Sequence, residues 1–186
     1  MTSLYILIGA VVLIGVFLIL TYNGMIGARN RVDEAWAGID VQLRRRHDLI
    51  PNLVETVKGY ATHERELMKQ VTEARTRAMG AQGPARSGPA ESALGAVLGR
   101  LIAVAEAYPQ LRANENFLAL QQEISNTENQ IAASRRIYNG NVQSYNTKIQ
   151  VFPNSVVAST CSFEPRDYFE LEEGAPEREP VAVSFG

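Results

Sequence analysis

Apolar positions in this chain follow two regimes that meet near Tyr22. From Leu4 to Tyr22 the residues are uncharged and apolar on every helical face, and thirteen of the nineteen are Leu, Ile, Val or Phe. Such a helix rises about 28 Å at ~1.5 Å per residue, close to the ~30 Å hydrocarbon core of a bilayer. Each large apolar residue favours insertion by roughly 0.3–0.6 kcal/mol, so the run predicts a membrane-spanning helix bounded by Leu4 and Tyr22. Tyr22 suits the aromatic belt at its end. A cleaved signal peptide would place basic residues before a core of roughly 7–15 apolar residues. Here the core is longer and nothing basic precedes it, so a retained anchor is expected.

After Tyr22 the pattern narrows to one stripe. Val32, Trp36, Ile39, Leu43, Ile50, Leu53, Val57, Tyr60, Leu67, Val71 and Ala74 recur at steps of four and three, the spacing of helices packed at shallow angles. Arg46 and Glu64 are the charged interruptions of this seam. Pro51 falls inside it and cannot donate to the helical ladder. Either one helix kinks there, or a first helix stops near His47 and Asp48 caps a second; the unbroken phase favours the kink. Gly80–Ala90, with three glycines and two prolines, predicts a flexible linker. A further helix is expected over Glu91–Ala107, stopped by Tyr108-Pro109. Asn114 is placed to cap a long last helix over Glu115–Gln150, whose stripe includes Phe117, Ile124, Ile131, Tyr138, Val142, Tyr145, Ile149 and Phe152. Beyond Phe152 the periodicity dissolves. Between Glu164 and Glu179 the local net charge is −5, with Pro165, Pro176 and Pro180 against a long helix. Val181–Phe185 could pair as an edge strand with a partner, although a solvated tail is the simpler expectation.

Charge adds direction to this picture. No Lys or Arg precedes the span, whereas Arg29 and Arg31 follow it closely. The positive-inside rule then predicts a single-pass protein of an inner or plasma membrane, N-terminus outside and the helical part cytoplasmic. An overall net charge of −2 gives no footprint for nucleic acid. Cys161 is the single cysteine, so no intramolecular disulfide can form. His47 and His63 lack the spacing of a zinc protease, and Cys161 has no basic cluster placed beside it. No catalytic, cofactor-binding or metal-ligating residues are therefore assigned, and the chain is not expected to be an enzyme.

The block from Ile39 to Ala61, with Arg44-Arg45-Arg46-His47-Asp48-Leu49-Ile50-Pro51-Asn52-Leu53 at its centre and His63-Glu64 after it, resembles the signature of the LemA family. Trp36, Ala74-Arg75, Glu106 with Tyr108-Pro109, Asn116-Phe117, Thr127-Glu128, Arg135-Arg136, Tyr138-Asn139, Tyr145-Asn146 and Phe152-Pro153 follow in the expected order. The resemblance extends to about Phe169. It implies a bacterial membrane protein with one N-terminal span and a cytoplasmic helical bundle, and it implies no established chemistry. Family relatives include a magnetosome-membrane protein, and genes of the family often neighbour membrane-associated proteases.

Together these readings predict an all-α protein in three parts. A transmembrane anchor occupies 1–27, an elongated antiparallel bundle of three to four helical segments 28–152 with a linker at 80–90, and an irregular acidic tail 153–186. The candidate interaction residues are Arg44, Arg45 and Arg46, expected to pair with Glu123, Glu128 or the acidic tail, together with Tyr138, Asn139, Tyr145 and Asn146. The two Tyr-Asn pairs stand one heptad apart, which places both rings on one face, with hydroxyls and amides bonding across the seam to set its register. The function expected is a non-enzymatic scaffold that self-associates and organises membrane partners or membrane shape. The runner-up is an adaptor of a membrane protease engaged through the tail. The expected partners are the lipid bilayer and further copies of the chain.

Overall fold

The computed structural model describes residues 2–61 and 63–170. All regular structure among them is helical: α1 (Thr2–Lys58), α2 (Arg65–Gly80), α3 (Pro84–Glu106), α4 (Pro109–Arg112), α5 (Glu115–Gln150) and α6 (Asn154–Thr160). The all-α expectation holds, with four long helices and two short ones. The tail from Leu171 onward, including Val181–Phe185, lies outside the described residues.

The helices sort into two compact units, and α1 and α5 contribute to both. The first unit takes the chain up to Ala37 together with Arg136–Asp167. Here the span stands alone. Its large apolar side chains from Leu4 to Leu20 are 41–73% exposed, which in water would be untenable and in lipid is the ordinary condition. Burial begins at Thr21 and continues through Met25, Ala28 and Val32, again by fours and threes. That stripe shares its unit with Tyr138, Val142, Tyr145 and Ile149 of α5 and Val157 and Ala158 of α6, all buried. Asn141 Nδ2 donates to the Arg31 carbonyl (3.1 Å) and Lys148 Nζ to the Gly24 carbonyl (2.9 Å). Seven residues forward on α5 thus match seven backward on α1, so the two run antiparallel.

The second unit holds Gly38–Arg135 with the segment that begins at Tyr168. Its core gathers Ile50, Leu53 and Val57 of α1, Leu67, Val71 and Ala74 of α2, Leu94, Leu98 and Leu101 of α3, and Phe117 and Ile124 of α5. The first seam is thus buried largely as its spacing predicts, whereas Tyr60 sits 40% exposed in the turn after α1. Asn114 caps α5 as expected, its Oδ1 accepting from the Phe117 amide at 3.0 Å.

α1 passes through Pro51 as one helix. The amide missing at Pro51 would have bonded the carbonyl of His47, four residues back. Arg75 of α2 replaces it, its Nε donating to the His47 carbonyl at 2.7 Å. The helix survives its proline because a neighbouring helix supplies the lost donor.

Three sequence readings need correction. The linker over Gly80–Ala90 shrinks to residues 81–83, because α3 starts at Pro84, where a proline at the first helical position costs nothing. Two glycines that suggested flexibility have fixed tasks. Gly83 adopts φ +77°, and Gly88 is approached so closely by the Glu170 carbonyl that a Cβ would lie 1.9 Å from it. Phe152 does not continue the α5 stripe, since the helix ends at Gln150 and Phe152 is 83% exposed. Nor is the chain irregular directly after it. α6 forms over Asn154–Thr160, two turns being too short to register as periodicity.

Candidate functional site

One layer of the second unit breaks the apolar rule. Arg46 of α1, at the seam position between Leu43 and Ile50, is 2% exposed, and Glu91 of α3 is 3% exposed. Arg46 Nη2 pairs with Glu91 Oε2, and its Nη1 donates to Glu128 Oε2 of α5 at 2.7 Å. On the other side Glu91 Oε1 lies 2.8 Å from His47 Nε2. A carboxylate only accepts, so His47 Nε2 carries the hydrogen. Thr127 completes the layer on α5, buried and bonded to the Ile124 carbonyl (2.7 Å). With Arg75 on the His47 carbonyl, all four long helices meet in one polar stratum.

Its electrostatics are self-contained. Burial works against the charge of Arg46, but the carboxylates of Glu128 and Glu91 outweigh it and hold the guanidinium pKa above its usual value. Burial likewise opposes ionisation of Glu91. The His47 hydrogen bond and the Arg46 charge outweigh it and hold the carboxyl below its usual range. Glu128 also lines a cleft of about 310 Å³ between α3 and α5, beside Gly95, Gly99, Gln121 and Ser125.

The structure places the predicted arginines differently from one another. Arg44 pairs with Asp40 on the exposed face of α1 (2.6 Å), and Arg45 reaches Glu123 at the surface (2.6 Å). Only Arg46 turns inward. The sequence reading missed its partner Glu91, and His47 on the other side of that carboxylate. The signal for Glu91 was present: stepping back from Leu101, Leu98 and Leu94 by the same threes and fours lands on Glu91 and Ser87, both buried. Assigning residues 80–90 to a linker cut that stripe short.

In the first unit, Tyr138 and Tyr145 are buried to 2% and 1% exposure, and Trp36 packs on Tyr138 with ring centroids 5.5 Å apart. Their hydroxyls donate to backbone carbonyls of the segment after α6: Tyr138 to Asp167 (2.7 Å) and Tyr145 to Glu164 (2.9 Å). Asn146 holds the same strap from both sides, donating to the Arg166 carbonyl (2.9 Å) and accepting from the Arg166 amide (2.8 Å). Arg166 in turn pairs with Asp33 of α1 at 3.1 Å. Asn139 also makes a polar interaction within the protein. Tyr138, Tyr145 and Asn146 thus bind this chain's own irregular strap. Burial raises the Tyr138 hydroxyl to a pKa of about 12, and raises Tyr145 as well, with Arg166 pulling the other way in both. Among the described residues no group of three His, Cys, Asp or Glu side chains is placed to hold a metal ion.

The family model described as LemA family matches residues 35–185. The chain is 25% identical over 179 residues to magnetosome protein MamQ 2 of Paramagnetospirillum magneticum, covering 82% of this chain and 66% of that protein. It is 27% identical over 153 residues to protein LemA of Metamycoplasma hominis, covering 81% and 69%. To magnetosome protein MamQ of Magnetospirillum gryphiswaldense it is 24% identical over 178 residues, covering 82% and 65%. The chain thus spans about two thirds of the length of the relatives it matches.

Proposed function

This chain belongs to the LemA family, and from that premise we propose that it is a membrane-anchored helical scaffold that self-associates and organises partners or shape at the bilayer. The observation that carries the reading is the span itself. It is charge-free, exposed on every face, and continuous as α1 with the seam that builds both cores. The ionisable groups support the same reading. Arg46 pairs with Glu91 and Glu128, and Glu91 with His47, which suits a structural stratum better than a reacting centre. The helical units lie on the cytoplasmic side in this proposal, following Arg29 and Arg31.

Full-length protein extracted in mild detergent should show a mass above one protomer by light scattering and retain membrane proteins on capture. A strict monomer that retains none would overturn the scaffold. Trypsin added outside intact cells should leave the helical units uncut, and cleavage there reverses the orientation.

A second reading is favoured by one feature. Phe169 is 1% exposed and the Glu170 carbonyl rests on Gly88, so the acidic tail leaves from a fixed point. An adaptor that presents this tail to a membrane protease would use such an exit. Removing residues 171–186 should then abolish co-purification of the protease while helicity is unchanged.

A further inference from the structure

We propose that the elbow joining α5 to α6 is a second membrane contact, seated at the boundary between lipid headgroups and acyl chains beside the end of the span. The proposal rests on the anchoring of Leu4–Tyr22 described above. Two independent markers fix its level within the first unit. The pairings of Asn141 with Arg31 and Lys148 with Gly24 set an antiparallel register between α5 and α1. Continued at ~1.5 Å per residue, that register brings the end of α5 at Gln150 to the level of Tyr22, and Val151 and Phe152 follow directly after it. Beyond α6 the chain is back at this level, with the Phe163 ring against Tyr22 at 5.6 Å between centroids. The elbow between these markers therefore lies where the span meets the headgroups.

Its chemistry fits that place. From Ile149 to Phe163 there is no Asp, Glu, Lys or Arg, although much of this stretch is at the surface. Phe152 is 83% exposed, Val156 57% and Val151 45%, while Val157 and Ala158 on the other side of α6 are buried. The hydroxyls of Ser159 and Thr160 donate to the Val156 carbonyl (3.0 and 2.8 Å), so they need no water. Arg29, the first charge after the span, lies 5.7 Å from the Phe163 ring centroid, at the depth where lipid phosphates would meet it. A short helix with one face on the protein and apolar side chains facing outward at this level is the geometry of an interfacial segment. The occupant we assign is phospholipid, because the patch adjoins the apolar run of the span.

The test uses the full chain in phosphatidylcholine–phosphatidylglycerol vesicles, with Phe152→Trp and, as a second position, Val156→Trp. The parent, with Trp36 as its single tryptophan, and the mid-span variant Val12→Trp serve as references. Lipids brominated at the upper acyl positions should quench the Phe152→Trp and Val156→Trp signals by roughly half relative to the parent, and aqueous iodide should not reach them. Iodide-accessible, unquenched elbow tryptophans beside a bromine-quenched Val12→Trp would overturn the elbow contact and leave the anchor standing. If Val12→Trp is also unquenched, the anchor fails and the elbow contact with it. Elbow emission shielded from iodide yet insensitive to bromine means that protein, such as a second copy, covers the patch, and overturns the assignment to lipid.

Discussion

At the scale of single residues, the protein works by replacing what one helix lacks with what another supplies. Pro51 removes a donor from α1, and Arg75 returns one to the same carbonyl. The two residues are coupled although neither touches the other's side chain in any described bond. Arg75→Met should lower stability by about 1–3 kcal/mol, the cost of leaving a shielded acceptor unpaired. In a Pro51→Ala background the ladder bond is restored and the same change should cost less than half as much. Denaturant melts of the four proteins in detergent form the double-mutant cycle. Equal costs in both backgrounds would show that Arg75 serves some other group. Arg46 and Glu91 obey the same logic at higher stakes, since removing one partner leaves a buried charge uncompensated.

Among the elements, α3 shows how far the sequence could be read. Its apolar stripe, the cap at Asn114, the seam of α1 and the run of the span were all legible, because each rests on local spacing or on one side chain bonding the adjacent backbone. The first turns of α3 were not. Pro84, Gly88 and Pro89 look like a linker when judged by composition, and only the arrival of residues 168–170, some eighty positions later, explains a glycine there. The buried stratum was half legible for the same reason. Arg46 visibly interrupts a seam, but its partners on α3 and α5 are set by tertiary packing. Gly88→Ala tests the glycine. The new Cβ would collide with backbone, which cannot give way as a side chain can, so the segment at Tyr168–Glu170 should lift from α3 and expose Phe169. Limited proteolysis at Phe169 should accelerate at least several-fold, with α3 still helical by circular dichroism. Unchanged cleavage would show that the segment holds its place without this approach.

For the molecule as a whole, the two units answer to opposite ends of the pH scale. In the second unit Glu91 is held below its ordinary value of 4.5, so as acid is added the unfolded chain takes up its proton first. The stability it contributes is complete above that value and drains away as pH falls through the folded pKa. In the first unit Tyr138 is raised from 10.0 to about 12, so its contribution is complete below 10 and is lost as pH rises towards 12. Melting temperature followed across pH should therefore show two limbs, with Glu91→Gln flattening the acid one and Tyr138→Phe the alkaline one. A variant that flattens both limbs, or neither, contradicts this assignment. The donated bond at Pro51 has one more consequence, and it concerns synthesis. Until residue 75 has left the ribosome, the His47 carbonyl has no donor within the protein, and the nascent helix carries a loose joint at Pro51. Emergence of α2 closes that joint, so the stiffness of α1 at Pro51 is conferred late, by a part of the chain not yet made when that helix begins to form.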